Sequence, residues 1–143
     1  MFVIFDLDGT LADITHRLHL IKREQGHKDW DQFFALCGAD KLIEPVAHVY
    51  EAMIQSGHRV EVWSGRSDQC RAETELWFRS RGLSAPALLR MRCQGDYTPD
   101  HLLKESWIDW DRLPDLVFDD RQRVVDMWRN NGLRCAQVAQ WDE

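Results

Sequence analysis

The thirteen residues 1-MFVIFDLDGTLAD-13 decide how the rest of the chain is read. Phe2 to Phe5 is a short, apolar, partly β-branched run, which predicts a strand ending at Asp6. Asp6 and Asp8 stand one residue apart at its mouth, and the DGT motif predicts a turn. In an extended segment the residues flanking Leu7 point the same way, and the turn at Gly9 can re-aim the second. Two carboxylates crowded at a buried strand end repel each other and lose hydration, a cost that a cation would remove.

Working outward, residues 16–40 place Leu18, Ile21, Trp30, Phe33 and Phe34 at helix-like intervals, which predicts a small helical insert over about 14–44. Pro45 suits the first turn of a helix to about Gln55, with Gly57 as its stop. VEVW (60–63) predicts a second strand, SGRSD (64–68) its exit loop, and 70–82 a helix closed by Gly82. ALLRM (87–91) is a third strand, and Thr98-Pro99 reads as an N-cap followed by a helix through about Asp109. DLVF (115–118) is a fourth strand, 121–132 a helix ended by Gly132, and RCAQVA (134–139) a last strand.

Strands alternating with helices predict an α/β fold with a parallel sheet covered on both faces. In such sheets ligands gather outside the carboxyl ends of the strands. Asp6, Ser64 and Asp119 each follow a predicted strand and should meet in one crevice. There Asp6, Asp8, Asp119 and Asp120 would offer the hard oxygen ligands that suit Mg²⁺.

The 143 residues have room for one domain of ordinary size, and the net charge of -6 argues against a broad basic platform for nucleic acid. Cys37, Cys70, Cys93 and Cys135 lie far apart with no CxxC pair, which reads as free thiols in a reducing cytosol. No apolar stretch approaches a membrane span, so a soluble, intracellular protein is expected. Trp63, Trp77 and Trp128 fall in predicted core elements and read as packing. The insert's Trp30, Phe33 and Phe34 could stack on a base, although helical spacing more often marks core or cap packing.

FDLDGT (5–10), SGR (64–66), Lys104 and FDD (118–120), in that order, resemble the four motifs of the haloacid dehalogenase superfamily of phosphotransferases. The resemblance implies a three-layer αβα, Rossmann-like fold and a two-step phosphoryl transfer with Mg²⁺ as cofactor. Asp6 would attack phosphorus and form an aspartyl-phosphate, and Asp8 would protonate the leaving oxygen and later deprotonate water. Ser64 would hydrogen-bond a phosphoryl oxygen and Lys104 would neutralise charge. An aspartate at position 8 favours hydrolysis, since the superfamily's ATPases carry threonine there.

A closer resemblance covers 3–19, 63–68, 91–105 and 116–142, which together are similar to the 3'-phosphatase domains of the tailed-phage polynucleotide kinase/phosphatase family. It implies Arg17 and Arg66 as phosphate or substrate-backbone contacts and Arg92, Asp96 and Asp100 lining the site, with Thr10 and Gly65 in the phosphate-binding motifs. It also implies the cytoplasm of a bacterial or phage-infected cell. The kinase half of that family needs a GxxxxGK[ST] loop, and none occurs here, so a stand-alone phosphatase is expected. Its expected substrate is a 3'-phosphorylated DNA or RNA end. Free nucleoside monophosphates are the alternative, favoured by the acidic charge. A catalytically silent binding protein on the same fold is a third reading. No oligomeric state follows from the sequence.

Overall fold

The computed structural model describes residues 1–22 and 26–140. Residues 23–25 of the expected insert and 141–143 lie outside the described residues. Its frame is a parallel sheet of β1 (Phe2–Phe5), β4 (Arg59–Ser67), β5 (Leu88–Arg92), β6 (Leu116–Asp119) and β7 (Cys135–Gln137), in the order β5-β4-β1-β6-β7. A two-stranded antiparallel clip, β2 (Ala12–Asp13) and β3 (Lys41–Leu42), closes the insert. The helices are α1 (Trp30–Ala35), α2 (Glu44–Gln55), α3 (Arg71–Ser80), α4 (Asp100–Ser106) and α5 (Gln122–Asn130).

β1 lies at the centre, paired with β4 on one side and β6 on the other. Its side chains alternate between two cores. Val3 and Phe5 join Val60, Val62, Tyr50, Trp77 and Phe78 beneath α2 and α3, whereas Ile4 joins Trp63, Val117, Val124 and Trp128 beneath α5. Both faces being covered explains why β1 reads as an unbroken apolar run. The three tryptophans assigned to packing are buried. Ile14, Leu20, Ile21 and Phe33 of the insert extend the first core, with Leu18 packed against it. All four cysteines are free thiols. Among the described residues no helix is long and apolar enough to cross a membrane.

Three local expectations are corrected. SGRS (64–67) is not an exit loop: β4 runs on through Ser67, with its register on β5 shifting between Ser64 and Ser67. Ser64, Gly65, Arg66 and Ser67, which span that irregularity, all line the cleft described below. Thr98 does not cap α4, because its hydroxyl and its backbone N–H both donate to Asp96 Oδ1, at 2.6 and 2.9 Å. The insert is less helical than its spacing suggests, since Thr15–Leu20 and Cys37–Ala39 are 3-10 turns around the short α1.

Candidate active site

The ends of β1, β4 and β6 open into a cleft of about 760 Å³. Its floor carries Asp6, Ser64, Lys104 and Asp119; Asp8, Gly65, Arg66, Arg92, Asp96 and Asp100 also line it. The Asp6 N–H still donates to Phe118 O at 2.9 Å, so the β1–β6 ladder itself fixes where Asp6 stands. Three residues on, Gly9 at φ 83° lets the chain turn back, its N–H donating to Ala12 O at 2.8 Å.

Lys104, buried on α4, donates to Asp6 Oδ1 at 2.7 Å and to Asp119 Oδ2 at 3.1 Å. Burial alone would lower its pKa, but Asp119 and Asp6 outweigh that and hold it protonated. One lysine does not balance the floor, because Asp6, Asp119 and Asp120 bring carboxylate oxygens within 4.8 Å of one another. Thr10 Oγ1 lies 3.2 Å from Asp6 Oδ2 and from Asp120 Oδ1, sharing one proton between them. Asp120 Oδ2 is buried without a hydrogen-bond partner. Burial, with Asp6 and Asp119 adding to it, pushes the Asp120 carboxyl up to about 10; the same two causes, burial and Asp6, push Asp119 up to about 6. An orphaned buried oxygen within a hard-oxygen cluster fits a divalent cation.

Asp8 is organised by the opposite sign. Its Oδ1 accepts from Arg17 Nη2 at 3.1 Å and from Arg66 Nη2. Burial raises the Asp8 pKa, but Arg66 and Arg17 outweigh it and hold the carboxyl below the usual range. Of the four aspartates expected to hold the cation, Asp6, Asp119 and Asp120 bring their oxygens together, whereas the Asp8 Oδ1 atom lies in the arginine cluster. Arg17, expected at the substrate, is fully buried behind the cleft lining and donates to Asp8. Thr10, expected in the phosphate-binding motif, is buried too, with its hydroxyl against Asp6 and Asp120.

Ser64 Oγ accepts from the Arg66 N–H at 3.1 Å, and its own proton has no protein acceptor among the described residues. Arg92 ties the cleft wall together: Nε donates to Gly65 O at 2.8 Å, Nη1 to Thr98 O at 2.5 Å and Nη2 to Asp100 Oδ1 at 2.6 Å. Arg121 holds the other oxygen of Asp100 at 2.9 Å. A Cβ on Gly65 would lie 2.1 Å from Asp100 Oδ1, so only glycine lets that carboxylate close over the strand. At the outer walls Trp30 is 44% exposed and Tyr97 is 92% exposed, whereas Phe33 is packed inside.

Two residues of the site's charge network, Asp40 and Arg121, are not among those the sequence marks. Asp40 lies in a loop-like CGAD run, with partners more than twenty residues away in sequence. Arg121 directly follows the acidic pair, and that adjacency was the available signal.

A family model for the phosphatase domain of polynucleotide kinase PNKP matches residues 1–142. Two solved Pnkp1/Rnl/Hen1 complexes, one described as an RNA repair complex, contain chains 32% identical to this one, with TM-scores of 0.79 and 0.82. The matches cover 99% of this chain but only 43% and 46% of theirs, so it spans less than half the length of those relatives. A haloacid dehalogenase-like hydrolase from Streptococcus pneumoniae is 11% identical, with a TM-score of 0.64 over 95% of this chain and 83% of its own, a likeness of fold. The paired aspartates, the buried lysine and the match over nearly every residue lead to one assignment: the chain belongs to the PNKP phosphatase-domain family of haloacid dehalogenase-type phosphatases.

Proposed function

We propose that this phosphatase removes the 3'-phosphate from polynucleotide ends through an aspartyl-phosphate on Asp6, with Mg²⁺ as cofactor. The observation that carries the reading is the pairing of Asp6 at the cleft floor with Asp8 at its wall, one held by Lys104 and the other by two arginines. Asp6 attacks phosphorus, the P–O bond to the sugar breaks, and the departing oxygen takes a proton from Asp8. Water then attacks the phosphorus, Asp8 takes its proton, and the bond to Asp6 breaks to release inorganic phosphate. The arginines keep Asp8 ionised at rest, ready for the second step. An arriving phosphate adds negative charge beside it and so favours the protonated form that the first step uses.

In this reading Ser64 donates to a phosphoryl oxygen, and Lys104 offsets charge on Asp6 as phosphate enters. Asp6, Asp119 and Asp120 would hold the Mg²⁺, which supplies positive charge against the phosphoryl oxygens.

A polynucleotide substrate is supported by the outer cleft, where Lys22, Lys28 and Arg123 accompany Trp30 and Tyr97. Basic and aromatic groups together suit a single strand's backbone and base faces. The RNA repair complex holding a 32% identical chain supports the same class. The net charge of -6 favours the second reading, hydrolysis of free nucleoside monophosphates, which need only the inner cleft. Phosphate release in Mg²⁺ from a 3'-phosphorylated oligonucleotide, its 5'-phosphorylated counterpart and a nucleoside monophosphate panel separates the two. Preference for the 3'-phosphorylated end supports the proposal, and preference for the monophosphates overturns it.

A further inference from the structure

The arginines that hold Asp8 are themselves held from behind by one residue of the insert. Asp40 is fully buried. Its Oδ1 accepts from Arg17 Nε and its Oδ2 from Arg17 Nη2, both at 2.8 Å, a two-pronged grip. Arg66 Nη2 also donates to Oδ2, at 3.1 Å, and His16 Nε2 lies 2.6 Å from Oδ1. Each arginine thus bridges Asp40 and Asp8 through the same nitrogen. The far end does not float. The Asp40 carbonyl accepts from Trp77 Nε1 at 2.8 Å and from Arg81 Nη2 at 2.8 Å, which fastens it to α3 and its C-terminal end. Thr74 Oγ1 receives Arg66 Nη1 at 2.9 Å on the other flank.

We infer that Asp40 is a positioning residue for proton transfer by Asp8, acting through Arg17 and Arg66. The charges explain the arrangement. Two guanidiniums facing Asp8 alone would leave an uncompensated buried positive charge, and a second carboxylate closes that balance. The geometry explains its use. Both arginines converge on Asp8 Oδ1, and Asp8 Oδ2 accepts no protein hydrogen bond among the described residues, on a side chain that is 22% exposed and lines the cleft. Pinning one oxygen from behind fixes the rotation of the carboxyl group and presents the other to the departing sugar oxygen. A proton donor displaced by about 1 Å can lose about a hundredfold in rate, so the rigidity of this frame bears on the chemistry.

The inference rests on the reading of Asp8 as general acid, and its test keeps the two apart. Two oligonucleotide ends are compared, one with an ordinary 3'-O-phosphate and one whose bridging oxygen is sulfur. Sulfur departs as a thiolate and needs no proton. For Asp40→Asn, kcat/KM on the oxygen-bridged end is expected to fall at least about tenfold, within the range that proton transfer contributes. On the sulfur-bridged end it should fall less than about threefold. Equal loss on both ends, or no loss, overturns the inference, because a merely structural residue does not distinguish leaving groups. Should Asp40→Asn not fold, Arg17→Lys, which keeps the charge and loses the fork, and Thr74→Val, which frees one flank of Arg66, are read by the same contrast and the same criterion. Asp8→Asn is run alongside. If it keeps wild-type kcat/KM on the oxygen-bridged end, the reading of Asp8 falls and the inference falls with it.

Discussion

Asp120→Asn should make the metal-free protein more stable while ending its response to Mg²⁺. The folded carboxyl is pushed from its ordinary 3.8 up to about 10, by burial first and then by Asp6 and Asp119. A carboxyl raised on folding costs nothing below its unfolded pKa, and its penalty grows as pH climbs toward the folded value. At pH 7 the penalty spans a little over three pH units at about 1.4 kcal/mol each, a ceiling of about 4 kcal/mol. Asparagine has nearly the same shape, carries no titration and still meets Thr10. Loss of that ceiling corresponds to a melting temperature up to about 10 °C higher for a chain of this size. The assay is thermal unfolding at pH 5, 7 and 8 in a chelator, repeated with Mg²⁺. The gap between variant and wild type should widen with pH in the chelator. In Mg²⁺ the wild type alone should gain, by about 2.7 kcal/mol at a hundredfold excess over Kd. An Asp120→Asn protein less stable than wild type in the chelator at every pH would refute the reasoning.

Lys104→Met should leave Asp6 and Asp119 buried without their cation, costing about 3–5 kcal/mol and all turnover; a melting temperature equal to wild type would contradict this. Gly65→Ala should drive the Asp100 carboxylate off Arg92 and Arg121, partly exposed pairs worth about 1 kcal/mol each at most, so activity should fall further than stability. Kinetics of Gly65→Ala, Asp100→Ala and the double variant check the cause, because the double should be no worse than Asp100→Ala alone. For the oligonucleotide substrate, KM should rise about sevenfold between 50 and 200 mM salt if two backbone phosphates are engaged, and a flat response would remove the outer cleft from binding.

The strand and helix alternation was legible because each element carries its own stop. Gly57, Gly82 and Gly132 all take positive φ just past a helix, where a side chain would be strained. The floor of the cleft was legible for a related reason: strand ends are visible in a sequence, and a parallel sheet gathers them. What escaped is what depends on partners distant along the chain. SGRS reads as a loop because it is polar, yet it stays in β4, where Arg66 is neutralised by Asp8 and Asp40. Asp40 carries no local sign of its role, since its arginines come from residues 17 and 66 and its anchor from α3. Thr98 has the composition of a cap, and only the competing Asp96 turn decides otherwise.

The proposed phosphoryl transfer needs Asp6 as the nucleophile, and an acid-quench experiment tests that directly. An oligonucleotide with a radiolabelled 3'-phosphate is mixed with enzyme in Mg²⁺ and stopped within milliseconds, and the protein is digested and sequenced. Label on the peptide carrying Asp6, absent from Asp6→Asn, is the predicted result. Phosphate release with no labelled protein at any time, or wild-type release by Asp6→Asn, would contradict it.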